Sequence, residues 1–142
     1  MKWILLAFLS VLSVLDACVS GQQEDLTFSD LVEFTGIALP SDSTIRRSAR
    51  DNSIVDAAMF FEIEMSKQDA ETFKLVLHNY PRPTVKFSFP DELVLHVAEW
   101  WKHDIAAERY AIDRPHGNNV YAIYDFVDCA DKAMLFVAIF PF

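Results

Sequence analysis

The run from Ile105 to Phe142 constrains the fold most, because it reads as three consecutive β-strands with a single glycine, Gly117, in its whole length. Two polar clusters divide it, Pro115-His116-Gly117-Asn118-Asn119 and Asp128-Cys129-Ala130-Asp131-Lys132, and both have turn composition. The segments between and around them, Ile105–Asp113, Val120–Val127 and Ala133–Phe140, are rich in Tyr, Ile, Val and Phe and of strand length. An antiparallel meander is the simplest arrangement. In the middle segment Val120, Ala122, Tyr124 and Phe126 share one face, while Tyr121, Ile123 and Val127 share the other with Asp125 as the one charge. The last segment carries no charge on either face. Strands that are apolar on both sides sit at the centre of a sheet and are covered on both faces. One face therefore requires a helix, and the other requires more chain, a ligand or a partner.

The amino terminus does not belong to that sheet. Lys2 supplies a short positive region and Trp3–Leu15 an apolar stretch too short to span a bilayer, so residues 1–21 read as an export signal. Leu15-Asp16-Ala17-Cys18 resembles the lipobox of bacterial lipoprotein signals, with Asp16 where a small uncharged residue is usual; Val19-Ser20-Gly21 resembles an ordinary cleavage site. The first resemblance implies lipidation of Cys18, and Val19 after it implies outer-membrane sorting. The second implies simple secretion from Gln22, and an uncleaved anchor is a third possibility. The protein is expected in the periplasm or on the outer membrane if bacterial, and secreted otherwise. With Cys18 acylated or removed, Cys129 is left alone and no intramolecular disulfide is expected. Residues 22–29 read as a polar tether, and residues 30–142 as one globular domain large enough for its own core.

Charge limits the partners. The chain has 12 Lys and Arg against 21 Asp and Glu, a formal charge of −9 that leader removal leaves unchanged, because Lys2 and Asp16 leave together. Nucleic acids and anionic membrane surfaces require clustered cations and are poor partners, leaving membrane contact to a lipid anchor alone; a basic protein is a permitted partner. The plain alternative is that the charge only keeps an exported domain soluble.

From residue 30 onward, Leu31–Leu39 reads as a first strand closed by Pro40. Ile45–Ser53 carries Arg46, Arg47 and Arg50 and reads as a twisted strand or loop with a solvated charged face, the functional alternative being contact with an anion or acidic partner. Ile54–Met65 alternates clearly: Val55, Ala57, Met59, Phe61, Ile63 and Met65 face a core, and Asp56, Glu62 and Glu64 face mostly water with Ala58 and Phe60. Ser66 stands as an N-cap with Asp69 three residues on, so a helix is predicted over Lys67–His78, with Ala70, Phe73 and Leu77 as its apolar stripe, ending before Asn79-Tyr80-Pro81-Arg82-Pro83. Thr84–Pro90 is extended, and a second helix runs to about His103 with Leu93, Val97, Trp100 and Trp101 on its apolar side. The fold class is α+β: a roughly five-stranded, mainly antiparallel sheet in the order β-β-α-short α-β-β-β, with one main helix on one face.

Beyond the leader only Gly36 and Gly117 remain, so the glycine-dependent loops that cradle phosphates, bind dinucleotides or present a nucleophile are missing and no cofactor is expected. His96, Glu99 and His103 could share a helical face, but a surface ion pair explains the same letters and no metal is assigned. Trp100 and Trp101 cannot share a face, so one packs and the other stands at a rim. Asp56, Asp113 and Asp125 lie in or beside strands; a carboxylate pair could do acid–base hydrolysis, whereas a buried Asp125 would need a partner such as Arg109, Tyr110 or Tyr124. Cys129 and His116 fall at opposite ends of one strand, about 25 Å apart at ~3.3 Å per residue, which excludes a dyad.

Two function classes remain. The favoured one is a non-catalytic binding protein of the cell envelope, with an inhibitor or immunity-type protein against a basic partner as its specific form. Its partner surface is assigned to Trp100, Trp101, Tyr121 and Phe142, the large side chains best placed to mark apolar surface beyond what one helix covers. The alternative is a small envelope hydrolase using Asp125 or Asp56.

Overall fold

The structure, a computed structural model, describes residues 26–50, 58–83 and 108–141. Its described elements are α1 (Phe28–Thr35), β1 (Thr44–Arg50), β2 (Met59–Met65), α2 (Lys67–His78), β3 (Glu108–Asp113), a 3-10 turn at Pro115–Gly117, β4 (Val120–Asp128) and β5 (Ala133–Pro141). The strands form one sheet in the order β1-β2-β5-β4-β3, antiparallel at every junction. The α+β class with five antiparallel strands is as the sequence predicts. The helix predicted within 91–103 lies outside the described residues, as do Asp56, His96, Glu99 and His103.

β5, the strand with no charge on either face, is the central strand, and β4 stands next to it. The placement follows from composition, since only the interior of a sheet satisfies backbone on both edges and buries side chains above and below. Seven consecutive residues of β5, Ala133 to Ile139, are buried.

α2 forms where the sequence places it. Ser66 Oγ accepts the Asp69 amide at 3.0 Å, Asp69 adds negative charge to the first turn, and His78 closes the last. Ala70, Phe73 and Leu77 enter the core together, and the Phe73 ring meets Tyr124 at 5.8 Å and Phe126 at 6.4 Å.

Residues 31–39 do not form a strand. The chain is helical over Phe28–Thr35, because Thr27 and Asp30 make a capping box: Thr27 Oγ1 accepts the Asp30 amide and the Asp30 carboxylate accepts the Thr27 amide at 2.7 Å. Gly36 ends the helix in the left-handed region, φ 67°, with its N–H on Val32 O at 2.7 Å. Leu26, in the stretch read as a tether, is buried and its amide donates to Ser48 Oγ at 2.9 Å. The first strand is instead the arginine segment, β1.

Both helices pack on the face of the sheet made by Met59, Phe61, Ile63, Tyr124, Leu135 and Val137. Neither described helix contributes to the opposite cluster, yet that cluster is buried as well: Phe60, Phe136 and Ala138 are fully enclosed, and Tyr121 is 8% exposed. The polar side expected of β2 is therefore interior, with Ala58, Phe60 and Glu62 all buried. Leu93–Trp101, one of the segments that could cover this second face, lies outside the described residues.

Candidate functional site

Charges inside the second face define the first candidate site. Cross-strand register sets Arg47 opposite Glu62, Glu62 opposite Phe136, Phe136 opposite Asp125, and Asp125 opposite Arg109. Directly opposed residues share a face, so these five form one row across all five strands, an ion pair on each side of a central phenylalanine. Asp125 and Glu62 are completely buried. Arg109 grips Asp125 bidentately, Nε to Oδ1 at 2.6 Å and Nη2 to Oδ2 at 2.7 Å. Each carboxylate oxygen has a donor, and the hydrogen bonds to Asp125 hold the Arg109 guanidinium above its usual pKa. Arg47 Nε holds Glu62 Oε2 at 2.5 Å, while Glu62 Oε1 is buried with no hydrogen-bond partner.

A bulge explains how two consecutive arginines reach the same set of acids. Pairing between β1 and β2 shifts between Ile45 and Arg47, inserting Arg46 as an extra residue. Arg46 then bonds Glu64 and Arg47 bonds Glu62, although neighbouring strand residues ordinarily point to opposite faces. Lys132 adds a second cation to Glu64 at 3.4 Å. Arg46 and Arg47 are thus counter-charges for β2, while Arg50 is exposed beside the Met59 sulfur.

The second candidate lies on the other side of the sheet, in a groove of 310 Å³ between α2 and the β3–β4 pair, with Phe126 at its base and Lys67, Lys74, Glu71, Glu108 and Asp128 around it. Lys74 Nζ contacts Glu71 Oε1 at 2.7 Å and Glu108 Oε1 at 3.1 Å, and stands 5.2 Å over the Phe126 ring. Glu108 Oε2 accepts the Tyr110 hydroxyl at 2.8 Å, and that hydroxyl lies 3.3 Å from His78 Nε2. Burial lowers the affinity of Lys74 for its proton, but its hydrogen bonds to Glu71 and Glu108 outweigh this and raise its pKa. The Tyr110 hydroxyl, then Lys74, pulls the Glu108 carboxyl below its ordinary value; burial, then the bond to Glu108, raises Tyr110.

A third cluster joins the ends of the helices. Tyr80 Oη and His116 Nε2 are 2.5 Å apart, Asn118 Nδ2 donates to Phe34 O at 2.9 Å, and a Cβ on Gly36 would stand 2.7 Å from His116 Cδ2. Arg114 and His116 both take positive φ, 47° and 52°, to make this turn. Every polar contact in it ties one element to another.

Of the partner-surface residues, Tyr121 is buried in the second-face cluster, and Trp100, Trp101 and Phe142 lie outside the described residues. Cys18, the lipidation candidate, lies outside them too. Asp113 is at the surface beside Arg114 at 3.3 Å and far along β3 from Asp125. Cys129 departs from expectation: it is disulfide-bonded and 6% exposed. The expectation of a lone thiol assumed that Cys18 is acylated or removed. No group of three or more potential metal ligands occurs among the described residues, and no described helix is long and apolar enough to cross a membrane.

No protein-family profile, curated protein or solved structure matches this chain. The domain has no recognised characterised relative, in keeping with the absence of a family motif in its sequence.

The Arg47–Glu62 pair was missed by sequence reasoning, although a signal was present. Glu62 shares its strand face with Ala58 and Phe60, and a face with two apolar members out of five is not a fully polar one and can belong to an interior.

Proposed function

We propose that this chain is an exported, non-catalytic binding protein of the cell envelope whose partner is a basic protein. The observation that carries the reading is the state of Asp125, the carboxylate on which a hydrolase would depend. It is fully buried with both oxygens taken by Arg109, so neither a water nor a substrate can reach it without breaking a bidentate ion pair. The groove residues Lys74, Glu108 and Tyr110 are likewise hydrogen-bonded to one another.

Charge supports the choice of partner. Arg46, Arg47, Arg109, Lys67, Lys74 and Lys132 each contact a carboxylate of the chain itself. These six cations are engaged by the chain's own acids, and a chain of formal charge −9 suits a basic partner. The contact surface is assigned to Trp100 and Trp101 with Phe142, while Tyr121 is buried and does not join it.

The test uses the purified full chain as bait under native conditions in envelope extracts, followed by a binding isotherm with the isolated partner. A single stoichiometric basic protein is expected, with affinity falling as salt rises from 0.05 to ~0.5 M, where the screening length shrinks to a few ångströms, and falling again in Trp101→Ala. Turnover of cell-wall or glycan substrates by the clean protein, abolished in Asp125→Asn, refutes the reading.

A further inference from the structure

We propose that the groove between α2 and the β3–β4 pair seats a lysine or arginine side chain of a basic protein. It has the two parts that such a side chain needs, an apolar floor for the stem and carboxylates at the rim for the charged head. Ala70, Phe126 and Ala133, all buried in the core cluster of the helix face, line the floor, and Glu71, Glu108 and Asp128 stand around a volume of 310 Å³. Those three carboxylates outnumber the two ammoniums of the lining, Lys67 and Lys74.

The chain itself shows which charge the groove takes. Lys74 Nζ lies in it as an internal cation, 2.7 Å from Glu71 Oε1, 3.1 Å from Glu108 Oε1 and 5.2 Å from the centre of the Phe126 ring. Burial works against that charge, and the hydrogen bonds to the two glutamates overcome it and raise the Lys74 pKa. Acceptor capacity is left over once both lysines are satisfied. Lys67 meets Asp128 at Oδ1, at 3.3 Å, and Lys74 meets Glu71 at Oε1, while Asp128 Oδ2 and Glu71 Oε2 accept no hydrogen bond among the described residues. The Asp128 and Glu71 side chains are 74% and 73% exposed, so an incoming ammonium or guanidinium can reach these oxygens without breaking either internal pair.

Other occupants fit less well. An anion would have to take Lys67 from Asp128, or Lys74 from its two glutamates. A divalent cation requires several oxygens converging on one point, and no group of three or more potential metal ligands occurs among the described residues. A cation that brings its own aliphatic stem matches the floor and the rim together.

The choice of occupant rests on the reading that the partner is a basic protein, and the test uses the isolated chain so that the two can fail separately. The purified, isotope-labelled full chain is titrated with a terminally blocked tetralysine peptide and followed by its amide resonances, at ~0.15 M salt, where exposed charges more than about 8 Å apart are largely screened. Saturable shifts are expected at Ala70, Glu71, Lys74, Phe126 and Asp128, with no binding of the same peptide once its ε-amines are acetylated. The double variant Glu71→Gln, Asp128→Asn should weaken binding about three- to tenfold, the loss of two exposed ion pairs. The control Glu33→Gln, Asp42→Asn removes the same charge from exposed positions outside the groove and should leave the affinity unchanged. An equal loss in the two double variants, shifts spread over the whole surface, binding of the acetylated peptide, or no saturable binding overturns the proposal. A bait experiment that retains no basic protein refutes the partner reading alone, and the titration still decides the groove.

Discussion

Separating Arg109 from Asp125 is expected to destabilise the fold far more than removing both. In Arg109→Met the fully buried Asp125 carboxylate keeps its charge and loses both donors, held at 2.6 and 2.7 Å. Stranding a buried charge costs about 3–5 kcal/mol. Asp125→Asn is milder, because the Arg109 side chain is 40% exposed and its guanidinium can turn to water; the loss of charge-assisted bonds there is about 1.5–3 kcal/mol. The double variant Arg109→Met, Asp125→Leu leaves no charge to strand and is expected within about 1–2 kcal/mol of the parent, on either side. Urea unfolding followed by circular dichroism gives the three values, with unchanged m-values confirming that the native states are comparable. An Arg109→Met cost under about 1 kcal/mol, or a double variant as damaged as Arg109→Met, refutes the structural assignment of the pair. A catalytic Asp125 predicts the reverse pattern, with activity lost in Asp125→Asn and stability kept or raised.

Phe73→Ala should lose about 3–5 kcal/mol, since the ring fills the space between α2 and the Tyr124 and Phe126 rings; a loss under about 1 kcal/mol would mean that α2 does not seal this face. Tyr124→Phe should be neutral or stabilising by about 1 kcal/mol, because the buried Tyr124 hydroxyl meets no partner in hydrogen-bond geometry, Thr35 Oγ1 nearby being engaged with Leu31 O and the Ile37 amide; a clear loss shows that Thr35 does accept it. Stability should have both an acid and an alkaline limb. Thr27 holds Asp30, and Tyr110 with Lys74 holds Glu108, below their ordinary values of 3.8 and 4.5, so their contributions are complete above those values and disappear as pH falls through the lowered ones. Burial raises Tyr110 and Tyr124 above 10.0, so their contributions are complete below that pH and are lost as pH rises through the folded values; a urea midpoint that is flat from pH 9 to ~11.5 contradicts this. Reduction of the Cys129 disulfide should lower stability by about 2–4 kcal/mol, measured as the difference between urea curves with and without reductant.

The parts of the fold legible in the sequence are those where local and tertiary preferences agree. Lys67–His78 has a cap, an apolar stripe and a stop that all describe the same helix, and the structure has it over the same residues. Ala133–Pro141 shows its central place through the lack of any charge. Residues 31–39 misled because Leu31, Val32, Phe34, Ile37 and Leu39 suit a strand by composition, while the decisive signal, Thr27 with Asp30 three residues later, sits upstream in a stretch assigned to the tether. The bulge at Arg46 could not be read either, since it is set by which acids β2 presents across the ladder, a pairing absent from local pattern.

Asp125 with Arg109 was legible as a possibility and Glu62 with Arg47 was not, for one physical reason. A lone charge in an apolar strand advertises that it needs a partner, whereas Glu62 and Glu64 in an alternating strand look like an ordinary wet face. The wet-face reading requires that the second side of the sheet be open, and the burial of Phe60, Phe136 and Ala138 shows that it is closed. Once both faces are interior, acids on the sheet are obliged to find cations within the chain, and the arginines of β1 and β3, on the two edges, are positioned to supply them from outside inward. The same closure makes the row of charges across the sheet, Arg47 with Glu62 and Asp125 with Arg109, part of its interior, each acid matched by a cation of an edge strand.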